Sequence, residues 1–196
     1  MHSIERYSAT EQQFLLQLAR ETVARGVSGL EPQRPSAENI PEGVERSRAC
    51  FVTLKLDGRL RGCIGNLEAN SSLVDAVLRN SYLAAFRDQR FDPVSAAELA
   101  KLQYEISVLT PMVPLPVSSE ADLLAKIRPG IDGLLFEAEG HRSTFLPSVW
   151  EQLNQPKNFL NQLRQKAGLA ADYWSDDVQC WIYQAIKIGE VESDSG

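Results

Sequence analysis

The strongest constraint on what this chain can fold into lies between Cys50 and Gly65, where two short alternating runs meet at Asp57-Gly58. Phe51 to Leu56 and Leu60 to Ile64 alternate apolar with polar residues, the period of a half-buried strand, and Asp-Gly between them marks a turn. The segment reads as a β-hairpin, and its register follows from keeping one face apolar. A turn at Asp57-Gly58 alone sets Leu56 against Arg59 and Leu54 against Arg61, mixing apolar with charged side chains. A loop of Leu56-Asp57-Gly58, with Gly58 left-handed, instead pairs Leu54 with Leu60, Val52 with Gly62 and Cys50 with Ile64, and this is the expected register. Phe51, Thr53, Lys55, Arg59, Arg61 and Cys63 then share the opposite face. Cys63 lies beside Arg61 and away from Cys50, which disfavours a Cys50–Cys63 disulfide.

Helical patterns surround the hairpin. Ser8-Ala9-Thr10-Glu11 is a capping box ahead of Phe14, Leu15, Leu18, Ala19 and Val23, and Gly26 stops that helix. The stretch 29–48 carries Pro32, Pro35 and Pro41, disfavours helix and central strand, and reads as a long loop that is either a flexible segment or a cover. Ser71-Ser72 caps a helix with Leu73, Val74, Val77, Leu78, Ala85 and Phe86, and Arg87 to Pro93 forms a charged loop after it. Ser95-Ala96-Ala97-Glu98 opens a short helix, and Tyr104 to Val108 alternates as a strand. Pro111, Pro114 and Pro116 mark a connection. A short helix over 119–127, a hairpin around Glu139-Gly140, helix starts at Pro147 and Pro156 and a final strand from Val178 to Ile188 complete the order. Hairpins in place of regular βαβ units predict an α+β fold with a mainly antiparallel sheet flanked by helices.

At 196 residues the chain suits one compact domain, or two small lobes sharing one, over 1–188, followed by an acidic tail at 189–196 that reads as disordered. No apolar run approaches the roughly 18 residues of a membrane helix, and the first residues resemble neither a secretory nor a transit peptide. Three widely spaced cysteines, Cys50, Cys63 and Cys180, make no disulfide framework and fit a reduced cytoplasmic protein. A net charge of −6 and a pI near 5.0 disfavour nucleic-acid binding. With only His2 and His141 and no Cys-x-x-Cys, no intrinsic metal or other cofactor is expected.

Leu60-Arg61-Gly62-Cys63-Ile64-Gly65 resembles a motif of the AMMECR family, also called AmmeMemoRadiSam system protein A. Ala85-Phe86-Arg87-Asp88-Gln89-Arg90-Phe91, Tyr104 to Leu109, Phe145 to Trp150 and Lys166-Ala167-Gly168-Leu169 are similar to further motifs of that family in the same order. The resemblance runs from about Glu11 to Ile188. It implies a compact two-lobed AMMECR-type α+β domain and no settled reaction. The family's name implies partners: a Memo-like protein of dioxygenase-type fold and a radical SAM protein.

Within these motifs Cys63 is the candidate catalytic nucleophile, because Arg59 and Arg61 on its face favour thiolate character. Gly62 and Gly65 would let a ligand or another backbone approach. The alternative is a small cysteine filling a tight corner. Arg87, Asp88 and Arg90 are candidates to bind a carboxylate or phosphate, against the alternative of internal caps and ion pairs. Glu105 is a candidate base or partner to an arginine, against a solvated strand face. His141 reads as a solvated turn residue ahead of a dyad partner for Cys63, and Lys166 as a cation complementing a helix C-terminus. Trp150, Trp174 and Trp181 read as packing residues. Two functions follow: an enzyme component using Cys63 on an anionic small molecule or modified group, or a non-catalytic adaptor for the same partners.

Overall fold

Ser8 starts the first helix as its sequence predicts: its hydroxyl accepts from the Glu11 N–H at 3.3 Å and the Glu11 carboxylate accepts from the Ser8 N–H at 2.7 Å. The structure, a computed structural model, describes residues 6–189. In chain order it contains α1 (Ala9–Val27), β1 (Cys50–Leu56), β2 (Arg59–Gly65), α2 (Leu73–Phe86), β3 (Leu102–Leu109), β4 (Val113–Pro114), α3 (Glu120–Lys126), β5 (Gly133–Ala138), β6 (His141–Phe145), α4 (Pro156–Lys166), β7 (Gln179–Tyr183) and β8 (Ala185–Gly189). These elements make an α+β fold with two antiparallel sheets. The chain divides into two compact units, one running through Leu109 and resuming at Ile186, the other Thr110–Ala185.

The first unit holds the sheet ordered β2-β1-β3-β8. Val52 and Leu54 of β1, Ile106 and Val108 of β3 and Ile188 of β8 are buried with Leu15 and Val23 of α1 and Val74 and Val77 of α2 in one core. Alternation then leaves Phe51, Thr53, Lys55, Cys63, Glu105 and Ser107 half-buried. The 29–48 stretch is fastened to this unit. Ile40 and Val44 join the core, Arg34 reaches Asp75 of α2 at 2.9 Å and Glu45 at 2.8 Å, and Ser47 bridges Ser72.

The hairpin departs from the expected register. Leu56 pairs with Arg59 across a turn whose Asp57 and Gly58 both take positive φ, 50° and 73°. A bulge restores the apolar face: Lys55 pairs with Leu60 but Leu54 with Gly62, so Arg61 is the extra residue, and Val52 then meets Ile64 and Thr53 meets Cys63. The expected pairs Leu54–Leu60, Val52–Gly62 and Cys50–Ile64 are all displaced. A turn with two left-handed residues matches the strands' own twist, and Asp-Gly supplies them at little cost. The inserted arginine absorbs the polarity mismatch that had argued against that turn.

In the second unit the sheet is ordered β4-β7-β5-β6. Its core gathers Leu123, Leu134, Phe136, Trp150, Phe159 and Leu163, with the Trp150 and Phe159 rings stacked at 3.8 Å. Arg164 is fully buried there, ion-paired to Glu120 at 2.7 Å and donating to the Ala171 carbonyl at 2.9 Å. A buried guanidinium needs such a counter-charge.

Five further expectations change. The run read as one final strand from Val178 to Ile188 is two strands in different sheets, broken at Gln184, whose N–H and C=O are both taken by Thr110. The connection after Pro111 contains β4. Only half of the Ser95–Glu98 box forms: the Glu98 carboxylate accepts from the Ser95 N–H and hydroxyl, both at 2.8 Å, while the Glu98 N–H goes to the Ser95 carbonyl at 3.1 Å, and only a one-turn 3-10 helix, Leu99–Lys101, follows because β3 begins at the next residue. Pro147–Glu151 is likewise a 3-10 helix. Gly189, placed in the tail, ends β8, and 190–196 lie outside the described residues, as does His2. Among the described residues no helix is long and apolar enough to cross a membrane.

Candidate functional site

Cys63 sits on β2, an edge strand, directly opposite Thr53 of β1, and Thr53 is opposite Glu105 of β3. The three make a row across the half-buried face of the sheet. The Thr53 hydroxyl donates to the Cys63 sulfur at 3.3 Å, and Glu105 is engaged by Lys55 at 3.2 Å. Thr53 was missed from sequence because the expected register set Phe51 against Cys63. Reading a bulge at Arg61 would have found it.

Two ion pairs frame the cysteine. Asp88, in the loop after α2, is 7% exposed; its carboxylate accepts from the Cys63 backbone N–H at 2.9 Å and from the Arg90 guanidinium at 2.7 and 2.9 Å. Arg90 also donates to the Cys63 carbonyl at 3.2 Å. The Arg90 hydrogen bonds, helped by the Cys63 N–H and opposed by burial, hold the Asp88 carboxyl well below the usual carboxylate range. Arg61, the bulge residue, binds Glu98 at 2.6 Å, and that guanidinium together with the Ser95 N–H lowers Glu98 to about 2. Phe91 lies beneath both cations, its ring centroid 5.9 Å from Arg61 and 5.6 Å from Arg90. Glu98 carries no sequence signal for this role, since only tertiary folding brings it to Arg61.

The glycines are explained by the protein's own atoms. A Cβ on Gly62 would stand 2.2 Å from the Ala84 carbonyl oxygen, so α2 packs backbone to backbone on β2 there. One on Gly65 would stand 2.3 Å from the Phe51 ring. Arg87 is exposed at the C-cap of α2, where its N–H satisfies the Leu83 carbonyl at 2.8 Å. The structure thus gathers Cys63, Arg61, Gly62, Asp88 and Arg90 at one strand edge, sets Glu105 across the row, and leaves Arg87 on the surface.

The other cysteines differ from Cys63. Cys50 and Cys180 are buried, and burial pushes both thiols up to about 12. His141 belongs to the second unit, where it is exposed and opens β6 directly after the Glu139-Gly140 turn, with its Nδ1 meeting the Ala167 carbonyl at 2.8 Å at the end of α4. Lys166 reaches past its own helix to the Thr144 carbonyl at 2.9 Å. Among the described residues no group of three or more His, Cys, Asp or Glu is placed to hold a metal ion.

Comparison with known proteins agrees with this architecture over nearly its whole length. A protein of Methanothermobacter thermautotrophicus is 36% identical over 91% of this chain and 93% of its own. One of Methanocaldococcus jannaschii is 33% identical over 93% and 91%. The crystal structure of an uncharacterised protein from Pyrococcus horikoshii superposes with a TM-score of 0.80 at 30% identity, covering 92% of this chain and 91% of that one. The AMMECR1 family model matches residues 16–188, which include both sheets' strands, the Cys63 edge and the loop that grips it, and the chain belongs to the AMMECR1 family.

Proposed function

We propose that this protein is an enzyme component whose reacting group is the Cys63 sulfur, working on an anionic small molecule or modified group alongside a Memo-like and a radical SAM protein. The observation that carries the reading is the setting of that sulfur. It belongs to the one cysteine of three that is not buried, it receives a hydroxyl hydrogen bond, and it shares an open strand face with a carboxylate. The arginines divide their labour. Arg61 and Arg90 hold the site together through Glu98 and Asp88, Lys55 is matched by Glu105, and the exposed Arg87 presents the charge that meets the anion.

The test is the rate at which each cysteine is alkylated by iodoacetamide in the folded protein, read by peptide mass spectrometry across pH. With thiols near 12, Cys50 and Cys180 are thiolate at neutral pH only to about one part in 10⁵ and stay inert. Cys63 is expected to react first and alone. Labelling of Cys63 no faster than the buried pair would sink the reading. In a reconstituted mixture with the two partners, Cys63→Ala is expected to abolish turnover while keeping the fold.

The closed ion pairs favour a second reading, a non-catalytic adaptor. An Arg61 and an Arg90 already matched by acids suit a preformed docking surface as well as a binding site. Sedimentation of the purified chain mixed with each partner decides it; an adaptor must form a complex, and a Cys63→Ala variant must form it equally well.

A further inference from the structure

The amide nitrogen and the sulfur of one cysteine are separated by three bonds, so a charge hydrogen-bonded to that nitrogen stands within about 7 Å of the sulfur whatever the rotamer. Asp88 meets that condition, its carboxylate accepting from the Cys63 N–H at 2.9 Å. Arg90 meets a similar one from the far side of the residue. It donates to the Cys63 carbonyl at 3.2 Å, which sets its guanidinium within about 8 Å of the sulfur. Both distances lie at or below the screening length of about 8–10 Å, and the buried Asp88 is screened less than a surface charge. The other charges around Cys63 are matched or in water. On its own strand Arg61 is bound to Glu98 at 2.6 Å and Arg59 is exposed, while across the row Lys55 and Glu105 pair at 3.2 Å. α2 meets β2 through the Ala84 backbone, and Arg87 at the end of that helix is exposed.

We infer that Asp88 and Arg90 are opposed positioning residues for the Cys63 sulfur: the Arg90 guanidinium is the cation that favours the thiolate, and the Asp88 carboxylate restrains it. The inference rests on Cys63 being the reacting group and names what governs its charge. A cation near a thiol favours its ionised form and an anion disfavours it. The hydrogen bonds from Arg90 Nε at 2.9 Å and Nη2 at 2.7 Å to Asp88 fix the cation in place, so the acid that restrains the thiolate also anchors the group that favours it. Arg90 is itself raised above its ordinary value, first by its hydrogen bonds to Asp88 and further by the charges of Asp88 and of an ionised Cys63, with burial opposing. Arg90 thereby takes the part that strand alternation gave to Arg59 and Arg61.

The experiment is the pH profile of Cys63 alkylation by iodoacetamide in the full chain, for the parent, Arg90→Gln, Arg90→Lys and Asp88→Asn. The ultraviolet absorbance of the thiolate, taken as the difference from Cys63→Ala, gives the same midpoint when labelling is slow. Arg90→Gln is expected to raise the midpoint by about half to one pH unit and to slow labelling below it about two- to four-fold, the effect of one charge at this distance in a hydrated site. Asp88→Asn keeps an oxygen for the Cys63 N–H and removes the charge, so its midpoint is expected to fall by a similar amount and its labelling to quicken. Arg90→Lys keeps the charge and should stay near the parent. A loop that merely loosens moves both neutralised variants the same way, so shifts of one sign overturn the inference, as does an unmoved midpoint in Arg90→Gln. Where Asp88→Asn fails to fold, the Arg90 variants decide alone, and an Arg90→Lys midpoint displaced as far as that of Arg90→Gln overturns the inference. Failure of the underlying reading shows elsewhere. A parent Cys63 labelled no faster than Cys50 and Cys180, or turnover kept in Cys63→Ala, removes the reacting role, while the midpoints still report the two charges.

Discussion

Each unit contains an Asp–Arg pair of nearly identical local geometry. In the first, Arg90 grips Asp88 through Nε at 2.9 Å and Nη2 at 2.7 Å, and its own N–H adds a bond at 3.2 Å. In the second, Arg128 grips Asp132 through Nε at 2.9 Å, Nη2 at 2.6 Å and its N–H at 3.0 Å. Both acids are buried and both arginines are about half exposed, 55% and 53%. What differs is where the remaining acceptor capacity goes. Asp132 spends its carboxylate on Arg128 alone and meets its surroundings through its backbone carbonyl, which accepts from Trp150 Nε1 at 2.7 Å. Asp88 and Arg90 instead reach the backbone of Cys63, 25 and 27 residues away in sequence. The same chemistry closes a turn in one place and fixes a strand edge in the other, according to which backbone passes within reach.

The largest effects come from removing the acids. Asp88→Ala leaves a guanidinium and two backbone N–H groups without their charged acceptor, Asp132→Ala a guanidinium and one, and each is expected to cost about 1.5–3 kcal/mol in urea unfolding, the range for hydrogen bonds to charged groups. Only Asp88→Ala is expected to change the alkylation rate of Cys63, because only it frees the Cys63 N–H. An equal change in Asp132→Ala would break the comparison.

Acid sharpens it next. Asp88 and Glu98, both in the first unit, have carboxyls held below their ordinary values of 3.8 and 4.5. A group whose folded pKa is lowered stabilises the fold above its unfolded value and loses that contribution as pH falls toward the folded one. The first unit is therefore expected to weaken as pH drops below about 4.5, with the share from Glu98 gone near pH 2. Urea midpoints of Glu98→Gln measured from pH 5 to about 2 should fall less steeply than those of the parent. Parallel slopes would remove the Arg61–Glu98 bridge as the cause.

Smaller again are the arginines. Each arginine is half exposed but its acid is buried, so Arg90→Ala and Arg128→Ala are expected to cost about 1–2 kcal/mol, above the value of surface ion pairs because a buried carboxylate loses its charged partner. Hydrogen exchange separates them: at Cys63 it should quicken in Arg90→Ala and stay unchanged in Arg128→Ala.

Much of the first unit was legible because its signals are local. The capping box at Ser8, the apolar spacing of α1 and α2 and the strand alternation each rest on a few adjacent residues, and each formed. The errors arose where a distant partner decides. Whether Asp57-Gly58 makes the turn alone depends on a bulge at Arg61, and that residue's charge is met by Glu98, 37 positions on. The run from Val178 to Ile188 carries strand propensity throughout, and nothing local says that its halves enter different sheets. For the site, Cys63 and the Arg-Asp-x-Arg loop were visible as residue types, whereas Thr53 was hidden by a register wrong by two residues.

The smallest expected effect tests that hidden residue. The second unit holds a comparable threonine: Thr144 donates to the Leu134 carbonyl at 2.8 Å and meets the Tyr183 hydroxyl at 2.7 Å, a network closed within its own sheet. Thr53 instead gives its proton to a sulfur at 3.3 Å. Valine keeps the shape of either threonine and deletes the donor. Thr144→Val is expected to destabilise by about 1 kcal/mol through loss of the side-chain bonds to the Leu134 carbonyl and the Tyr183 hydroxyl, with Cys63 alkylation unchanged. Thr53→Val should leave stability nearly intact, since a thiol makes only a weak acceptor. A donated hydrogen bond stabilises the thiolate, so its loss should slow Cys63 alkylation at neutral pH by about two- to five-fold, the rate equivalent of roughly 0.5–1 kcal/mol. Thr53→Ser, which keeps the hydroxyl, is expected to restore the rate. A slowed rate in Thr53→Ser equal to that in Thr53→Val would assign the effect to packing of the β-branched side chain instead of the hydrogen bond.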